Sequence, residues 1–280
     1  MPRAPIRTAL PRVLVALATT ALATACASDS DATTGDDLST GTDPTTDTPT
    51  TGADTSAGSS EGSTSGGATA VMVSGDAFEF GPYTMIAGAS VTIREFPEQG
   101  TTTDADGHFV FEALPPGAAA TFVIEAEGYP RTSTKTFTLP AAGEALERVT
   151  FQVPDDATYE LLAGVVGVVP DETTCQIATT VTRVGKSIYD PGAHGEAGAT
   201  VTIDPPLPAE HGPIYFNADV IPQLDLTETS DDGGVLFVNV PTGTYTLTAT
   251  KAGVEFVAVE IACDGGVLVN ASPPNGLQAL

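Results

Sequence analysis

The feature that most constrains this chain is an internal repeat. The segment from Ala87 to Ile93 returns as Ala197 to Ile203, with one change among seven positions. A second segment, Thr103 to Phe111, returns without a gap as Thr229 to Phe237. Each copy has enough residues to bury a core of its own, so the repeat predicts two domains of one fold that fold independently.

Apolar and polar residues alternate along both copies, which is the period of a half-buried β-strand. Val91 and Ile93 alternate with polar neighbours, and Phe109 and Phe111 lie on one face of the next such run. The chain contains 29 Gly and 22 Pro, and clusters of these residues bound the short runs. The pattern predicts an all-β protein with two β-sandwich domains in tandem.

One segment between the copies has a different pattern. Acidic residues at its start and apolar residues on one face favour a short connecting helix over residues 156–169, with a buried strand as the alternative. We therefore expect a first sandwich over residues 70–154 and a second, diverged one over residues 155–280, beginning with this connecting segment.

The N-terminus has the composition of a secretory signal peptide. Three arginines precede an apolar run from Val13 to Ala25, which is too short to span a bilayer. Residues 1–25, followed by Cys26, resemble a bacterial lipoprotein signal, in which small residues precede the cysteine that takes the lipid. The resemblance implies an exported lipoprotein anchored through acyl chains on Cys26.

Residues 26–69 are rich in Thr, Ser, Asp and Gly and contain one large aliphatic residue, Leu38. Such a segment cannot offset its chain entropy by burying apolar surface, so we expect a disordered linker. A flexible chain of this length spans roughly 35 Å. The linker would hold the folded part away from a membrane.

The repeated motifs resemble the carboxypeptidase regulatory-like domain. The resemblance is carried by the Gly-Ala-x-Val-x-Ile segment that starts at Gly88, by Thr103 to Phe111, and by Ala126-Glu127-Gly128-Tyr129. It implies a prealbumin-like, Ig-like β-sandwich, grouped by fold with carbohydrate-binding-like modules. That fold occurs with many functions, so it does not by itself identify one.

The cysteine count predicts one disulfide. The chain has 3 Cys, and once Cys26 carries lipid, Cys175 and Cys263 remain near the two ends of the second copy. In an exported protein two such thiols favour a bridge, with free buried cysteines as the alternative.

The Asp-rich motif favours a turn over a metal site. Asp104 and Asp106 precede Gly107, and carboxylates at such positions accept hydrogen bonds from nearby backbone N–H groups. A Ca²⁺ loop is the weaker alternative, because calcium needs six to eight oxygen ligands. Asp231 and Asp232 of the second copy have the same two interpretations.

Catalysis is not expected, and neither is a cofactor. The 3 His residues form no zinc-binding or zinc-peptidase motif, and no glycine-rich phosphate loop opens a helix. A net charge of −26 repels phosphate backbones, which argues against nucleic-acid binding. The expected function is that of a non-catalytic, lipid-anchored envelope or surface protein that presents two interaction modules.

The alternative function is carbohydrate binding. The second copy has about 16 extra residues between Ile203 and Thr229, and long loops on rigid sandwiches often carry ligand contacts. The candidate contacts lie in this inserted loop, residues 204–228, and they are Tyr215, Phe216, Asn217 and His211. The other interpretation is that Tyr215 and Phe216 pack as an extra strand.

The expected partners are a membrane, reached through the lipid anchor, and an envelope protein or a polysaccharide. Ala27 and Ser28 lack the Asp that retains many lipoproteins at the inner membrane. We therefore expect the outer membrane or the cell surface.

Overall fold

Short strands joined by turns make up almost all of the structure. The computed structural model describes residues 70–190 and 192–280, which fall within one compact unit, Gly62–Leu280. The strands of the first repeat are β1 (Val71–Glu79), β2 (Ser90–Ile93), β3 (Phe96–Thr102), β4 (His108–Leu114), β5 (Ala119–Glu125), β6 (Thr132–Thr138), β7 (Ala145–Leu146) and β8 (Phe151–Val153). Those of the second are β9 (Thr174–Thr182), β10 (Thr200–Asp204), β11 (Ile214–Phe216), β12 (Pro222–Gln223), β13 (Gly234–Pro241), β14 (Gly243–Thr250), β15 (Val259–Cys263), β16 (Leu268–Asn270) and β17 (Leu277–Gln278).

Each repeat places a hydrophobic core between two layers of strands. In the first repeat, β1 pairs with β4, β7 and β8 in one layer, and β3, β2, β5 and β6 are adjacent in the other. Phe109, Phe122 and Phe151 are fully buried between these layers. In the second repeat the layers are β12-β11-β13-β9-β16 and β10-β14-β15, and Phe237, Leu247 and Ile261 are buried between them. The all-β prediction is confirmed.

Helix α1 (Asp156–Val166) connects the repeats where the sequence favours a helix over residues 156–169. The Asp155 carboxylate accepts a 2.7 Å hydrogen bond from the backbone N–H of Thr158, which caps the first turn. Gly167 ends the helix in the left-handed region at φ 69°. With 11 residues, α1 is the longest helix of the described ranges, and none there is long and apolar enough to cross a membrane.

A buried threonine forms the same hydrogen bonds in both repeats. The Thr103 hydroxyl accepts from the backbone N–H of Ala89 at 2.9 Å and donates to the Ile86 carbonyl at 2.6 Å. The Thr229 hydroxyl accepts from the N–H of Ala199 at 2.9 Å and donates to the Glu196 carbonyl at 2.6 Å. Within each repeat, the two recurring sequence segments therefore contact each other. This contact explains why both segments recur in both copies.

The glycine that follows the Asp residues is required by a close backbone approach. Gly107 has φ +74°, and a Cβ there would lie 2.5 Å from the Ala77 carbonyl oxygen. Gly233 has φ +78°, and its Cβ would lie 2.3 Å from the Val181 carbonyl oxygen. Since L side chains rarely adopt this conformation, both positions require glycine.

One sheet runs through both repeats, which the repeat pattern does not predict. Residues 268–270 of β16 pair in parallel with 176–178 of β9 on one edge and with 132–134 of β6 on the other. The β3-β2-β5-β6 layer of the first repeat thereby continues into the β12-β11-β13-β9-β16 layer of the second repeat. The result is a ten-stranded sheet that contains residues of both cores.

Side chains reinforce this junction. The Arg94 guanidinium donates to both oxygens of Asp264, at 2.7 and 3.1 Å, and these bonds hold the pKa of Asp264 below its usual range. The Asn270 amide donates to the Gln152 carbonyl at 2.8 Å. The two repeats are therefore connected by backbone pairing and by polar side chains of both.

The buried threonines give a first prediction. Thr103→Val and Thr229→Val each leave a buried N–H and a buried carbonyl without their partner, so each should lower the free energy of unfolding by about 1–3 kcal/mol. The control is Thr102→Val at an exposed position of β3, which should change it by less than about 0.5 kcal/mol. Denaturant unfolding measures all three, and near-neutral Thr103→Val and Thr229→Val variants would contradict the role of the hydroxyls.

The shared sheet gives a second prediction. Two repeats that share a sheet should unfold together, although the repeat alone predicts independent folding. We expect one calorimetric transition for the intact chain, and reduction of the second repeat's disulfide should lower the unfolding temperature of both repeats. A chain truncated after Asp155 should melt at a lower temperature than the intact chain because β6 loses its neighbour.

The opposite outcome would be that the two repeats unfold separately. Two transitions, with only the second sensitive to reductant and the first matching the truncated chain, would show that the β6–β16 pairing contributes little.

Candidate functional site

The inserted loop does not form the exposed aromatic surface that the carbohydrate-binding alternative requires. Tyr215 and Phe216 lie in β11 with 3% and 8% of their surfaces exposed. The Tyr215 hydroxyl accepts a 3.0 Å hydrogen bond from the backbone N–H of Val201 in the opposite layer, and burial raises the pKa of Tyr215. Of the two interpretations of Tyr215 and Phe216, these contacts favour the extra strand, because β11 pairs with β13 and extends the sheet.

The two polar candidates of the same loop also have structural contacts. His211 Nδ1 lies 2.9 Å from the Val238 carbonyl oxygen. The Asn217 side-chain oxygen accepts hydrogen bonds from the backbone N–H groups of Asp219 and Ile221, at 3.0 and 3.1 Å. Asn217 therefore stabilises the turn between β11 and β12, and His211 attaches the short helical turn Ala209–His211 to β13.

The Asp-rich segments form turns. The Asp104 carboxylate accepts from the N–H groups of Asp106 and His108, both at 2.9 Å. In the second repeat the Asp232 carboxylate accepts from the Gly234 N–H at 3.0 Å, and burial raises the pKa of Asp232. Asp231 instead forms an ion pair with Arg183 at 2.7 Å. Within residues 70–190 and 192–280, no group of three His, Cys, Asp or Glu side chains could hold a metal ion.

The structure tests the prediction for two of the three cysteines. Cys175 of β9 and Cys263 of β15 are joined by a disulfide, with their Cα atoms 5.6 Å apart. The bridge connects the two layers of the second repeat and is buried at its core. Cys26 lies outside the described residues, so its lipidation stays a prediction.

An aromatic cleft that sequence reasoning missed lies where the repeats meet. Its volume is about 440 Å³, within the range of small-molecule sites. Phe78 and Tyr83 of the first repeat and Tyr189 of the second line it, and Asp76, Asp190 and His194 supply polar groups. The ring centroids of Phe78 and Tyr83 are 5.4 Å apart, and those of Phe78 and Tyr189 are 6.4 Å apart.

The polar groups of the cleft are held by neighbours. Asp76 Oδ1 lies 2.9 Å from Nδ1 of His108. The Asp190 carboxylate accepts from the N–H and hydroxyl of Ser187, at 2.7 and 3.0 Å, and these bonds lower its pKa. Lys186 approaches Asp190 at 3.7 Å. Both carboxylates are therefore fixed in position at the cleft.

Tyr189 is a partly buried ring of the cleft. Burial, together with the negative charge of Asp76, raises the pKa of Tyr189 to about 12. Its hydroxyl is hydrogen-bonded to that of Thr150, and the Arg148 guanidinium carbon lies 4.7 Å from its ring centroid. Tyr83 is different, because 56% of its surface is exposed.

The cleft has a weak sequence signal. Tyr83 and Tyr189 are more than a hundred positions apart in turns of different repeats, so no local pattern brings them together. Tyr83 has φ +58°, which is uncommon for a residue other than glycine. Strained backbone of this kind often accompanies functional sites, but it cannot be recognised without the structure.

Comparison with protein families identifies one match. Residues 83–154 match the carboxypeptidase regulatory-like domain. The match covers β2 to β8, the larger part of the first repeat, and about a quarter of the chain. Comparison with curated proteins gives no match.

Several solved structures are similar to this chain at low identity. The TIE protein of Bacillus anthracis is 17% identical with a TM-score of 0.26, covering 72% of this chain and 33% of its own, so this chain spans about a third of that protein. The shaft pilin SpaA of Lactobacillus rhamnosus GG is 14% identical, with coverages of 75% and 97% and a TM-score of 0.25. A Bacteroides uniformis protein with a proposed carbohydrate-binding role is 9% identical, with coverages of 70% and 97% and a TM-score of 0.27.

One partly buried cation near the junction gives a third prediction. Burial lowers the pKa of Lys135 in β6 to about 8, and its ammonium lies 5.5 Å from the Phe137 ring centroid. Because this pKa is lower in the folded than in the unfolded chain, the charge opposes folding below pH 8, and stability should rise between pH 8 and 10.5.

Lys135→Met should therefore raise the free energy of unfolding at pH 7 by about 1–2 kcal/mol, and the gain should shrink towards pH 10.5. Denaturant unfolding across this pH range measures it. The control is Lys186→Met, at a more exposed lysine, which should show a change below about 0.5 kcal/mol. A gain that does not depend on pH would contradict the burial argument.

Proposed function

We propose that this chain is a non-catalytic, lipid-anchored protein of the cell envelope, exposed at the outer membrane or the cell surface. In this proposal Cys26 carries the lipid and residues 26–69 form the tether. The paired repeats are a rigid unit for contact with an envelope protein. The N-terminal sequence motif supports the anchor, and the continuous sheet supports the rigidity.

The non-catalytic part of the proposal rests on the hydrogen bonds that the candidate site residues form. Tyr215, His211, Asn217 and Asp104 each hydrogen-bond to backbone groups that shape a strand or a turn. These contacts stabilise strands and turns, so they give each side chain a structural role that needs no chemistry. The carbohydrate-binding alternative has no support from the inserted loop, because its aromatic side chains are buried.

The anchor is tested by changing the lipidated residue. Cys26→Ser should abolish partition of the chain into detergent, because the thiol is the acceptor of the acyl chains that provide membrane affinity. Ser28→Ala keeps Cys26 and is the matched control. Phase separation followed by mass spectrometry of the N-terminal peptide gives both the partition and the mass of the lipid.

Retention of Cys26→Ser in the detergent phase would reject the lipid anchor. It would leave the rigidity of the repeats, tested separately by calorimetry, unaffected.

A further inference from the structure

The aromatic cleft has chemistry that the proposed envelope role does not use. Tyr83 has 56% and Met85 has 50% of its surface exposed, and both line the cleft. Large apolar side chains that are exposed next to a concave surface often mark a ligand or partner site. The exposed side chains of the cleft therefore indicate a binding site.

The rings favour a positively charged ligand. The face of an aromatic ring is electronegative and attracts a cation within about 6 Å of its centroid. Tyr189 already shows this contact, because the Arg148 guanidinium carbon lies 4.7 Å from its centroid. Tyr83 and Phe78 lie in the same group of rings, and no basic side chain of the described residues is stacked on either of them.

The charged residues that line the cleft also favour a positively charged ligand. Asp76 and Asp190 line the cleft, whereas no Lys or Arg does among the described residues. Lys186 and His108 contact these carboxylates, but the side chains of Asp76 and Asp190 remain 46% and 33% exposed. The net charge of the whole chain, −26, adds a long-range attraction for cations.

His194 supplies a further unsatisfied group. It lines the cleft, and its Nδ1 is a buried nitrogen without a hydrogen-bond partner among the described residues.

From these contacts we propose that the aromatic cleft binds a small organic ammonium ion, with its cationic group against Tyr83 and Phe78 and within reach of the carboxylates of Asp76 and Asp190. The volume of about 440 Å³ fits a small molecule. The proposal is independent of the lipid anchor and of the non-catalytic role.

The test uses the full-length chain in detergent and two pairs of probes. Choline is compared with its neutral isostere 3,3-dimethylbutan-1-ol, and butylammonium is compared with its neutral isostere butan-1-ol. Titration calorimetry and ligand-observed NMR should detect the cations and not the neutral molecules. The two pairs distinguish a quaternary ammonium from a protonated amine, and binding of either cation supports the proposal.

Variants locate the site. Tyr83→Ala should weaken association of the bound cation about fivefold, the factor that corresponds to about 1 kcal/mol, whereas Tyr83→Phe keeps the ring and should retain binding. Asp76→Asn should weaken it about two- to fivefold at low salt, since it removes one charge. Leu224→Ala is the control, at a residue of the second repeat that is 71% exposed and outside the cleft lining.

Three results would overturn the proposal: equal binding of a cation and its neutral isostere, no cation binding at millimolar concentration, or cation binding that Tyr83→Ala leaves unchanged. Maltose is included as a neutral saccharide. Maltose binding that Tyr83→Ala removes, without binding of either cation, would reassign the cleft to saccharides.

Discussion

Strand β16 is hydrogen-bonded on both edges, to β9 of its own repeat and to β6 of the other, and the arrangement of the two repeats depends on this pairing. Without it, the first repeat would contact the second mainly through side chains and the segment around α1. With it, the layers of the two sandwiches form one sheet, and turns from both repeats are held next to each other. The aromatic cleft is lined by residues of β1 and of those turns.

Within each repeat, a small set of backbone contacts has been kept while the core has changed. Thr103 and Thr229 make the same two hydrogen bonds, and Gly107 and Gly233 make the same close approach. The core varies, since Val235 stands where Phe109 stands in the first repeat. A buried hydroxyl or a positive φ allows few substitutes, whereas apolar side chains can be exchanged if the total volume is kept.

Features that depend on local sequence could be predicted, and features that depend on contacts between the repeats could not. Alternation predicted the strands, the acidic start and apolar face of residues 156–169 predicted helix α1, and the cysteine count predicted the Cys175–Cys263 bridge. The sequence left two roles open for Tyr215, because a strand of three residues has too few positions to show alternation. The β6–β16 pairing and the cleft join residues that are far apart in sequence, and no single segment encodes such contacts.

The position of β16 also has a consequence for self-association. An exposed strand edge presents unpaired N–H and carbonyl groups, to which a strand of another molecule can add. Insertion of β16 between β6 and β9 covers one edge of each repeat with the same three residues. Covering two edges within one chain therefore reduces the surface through which separate copies could aggregate.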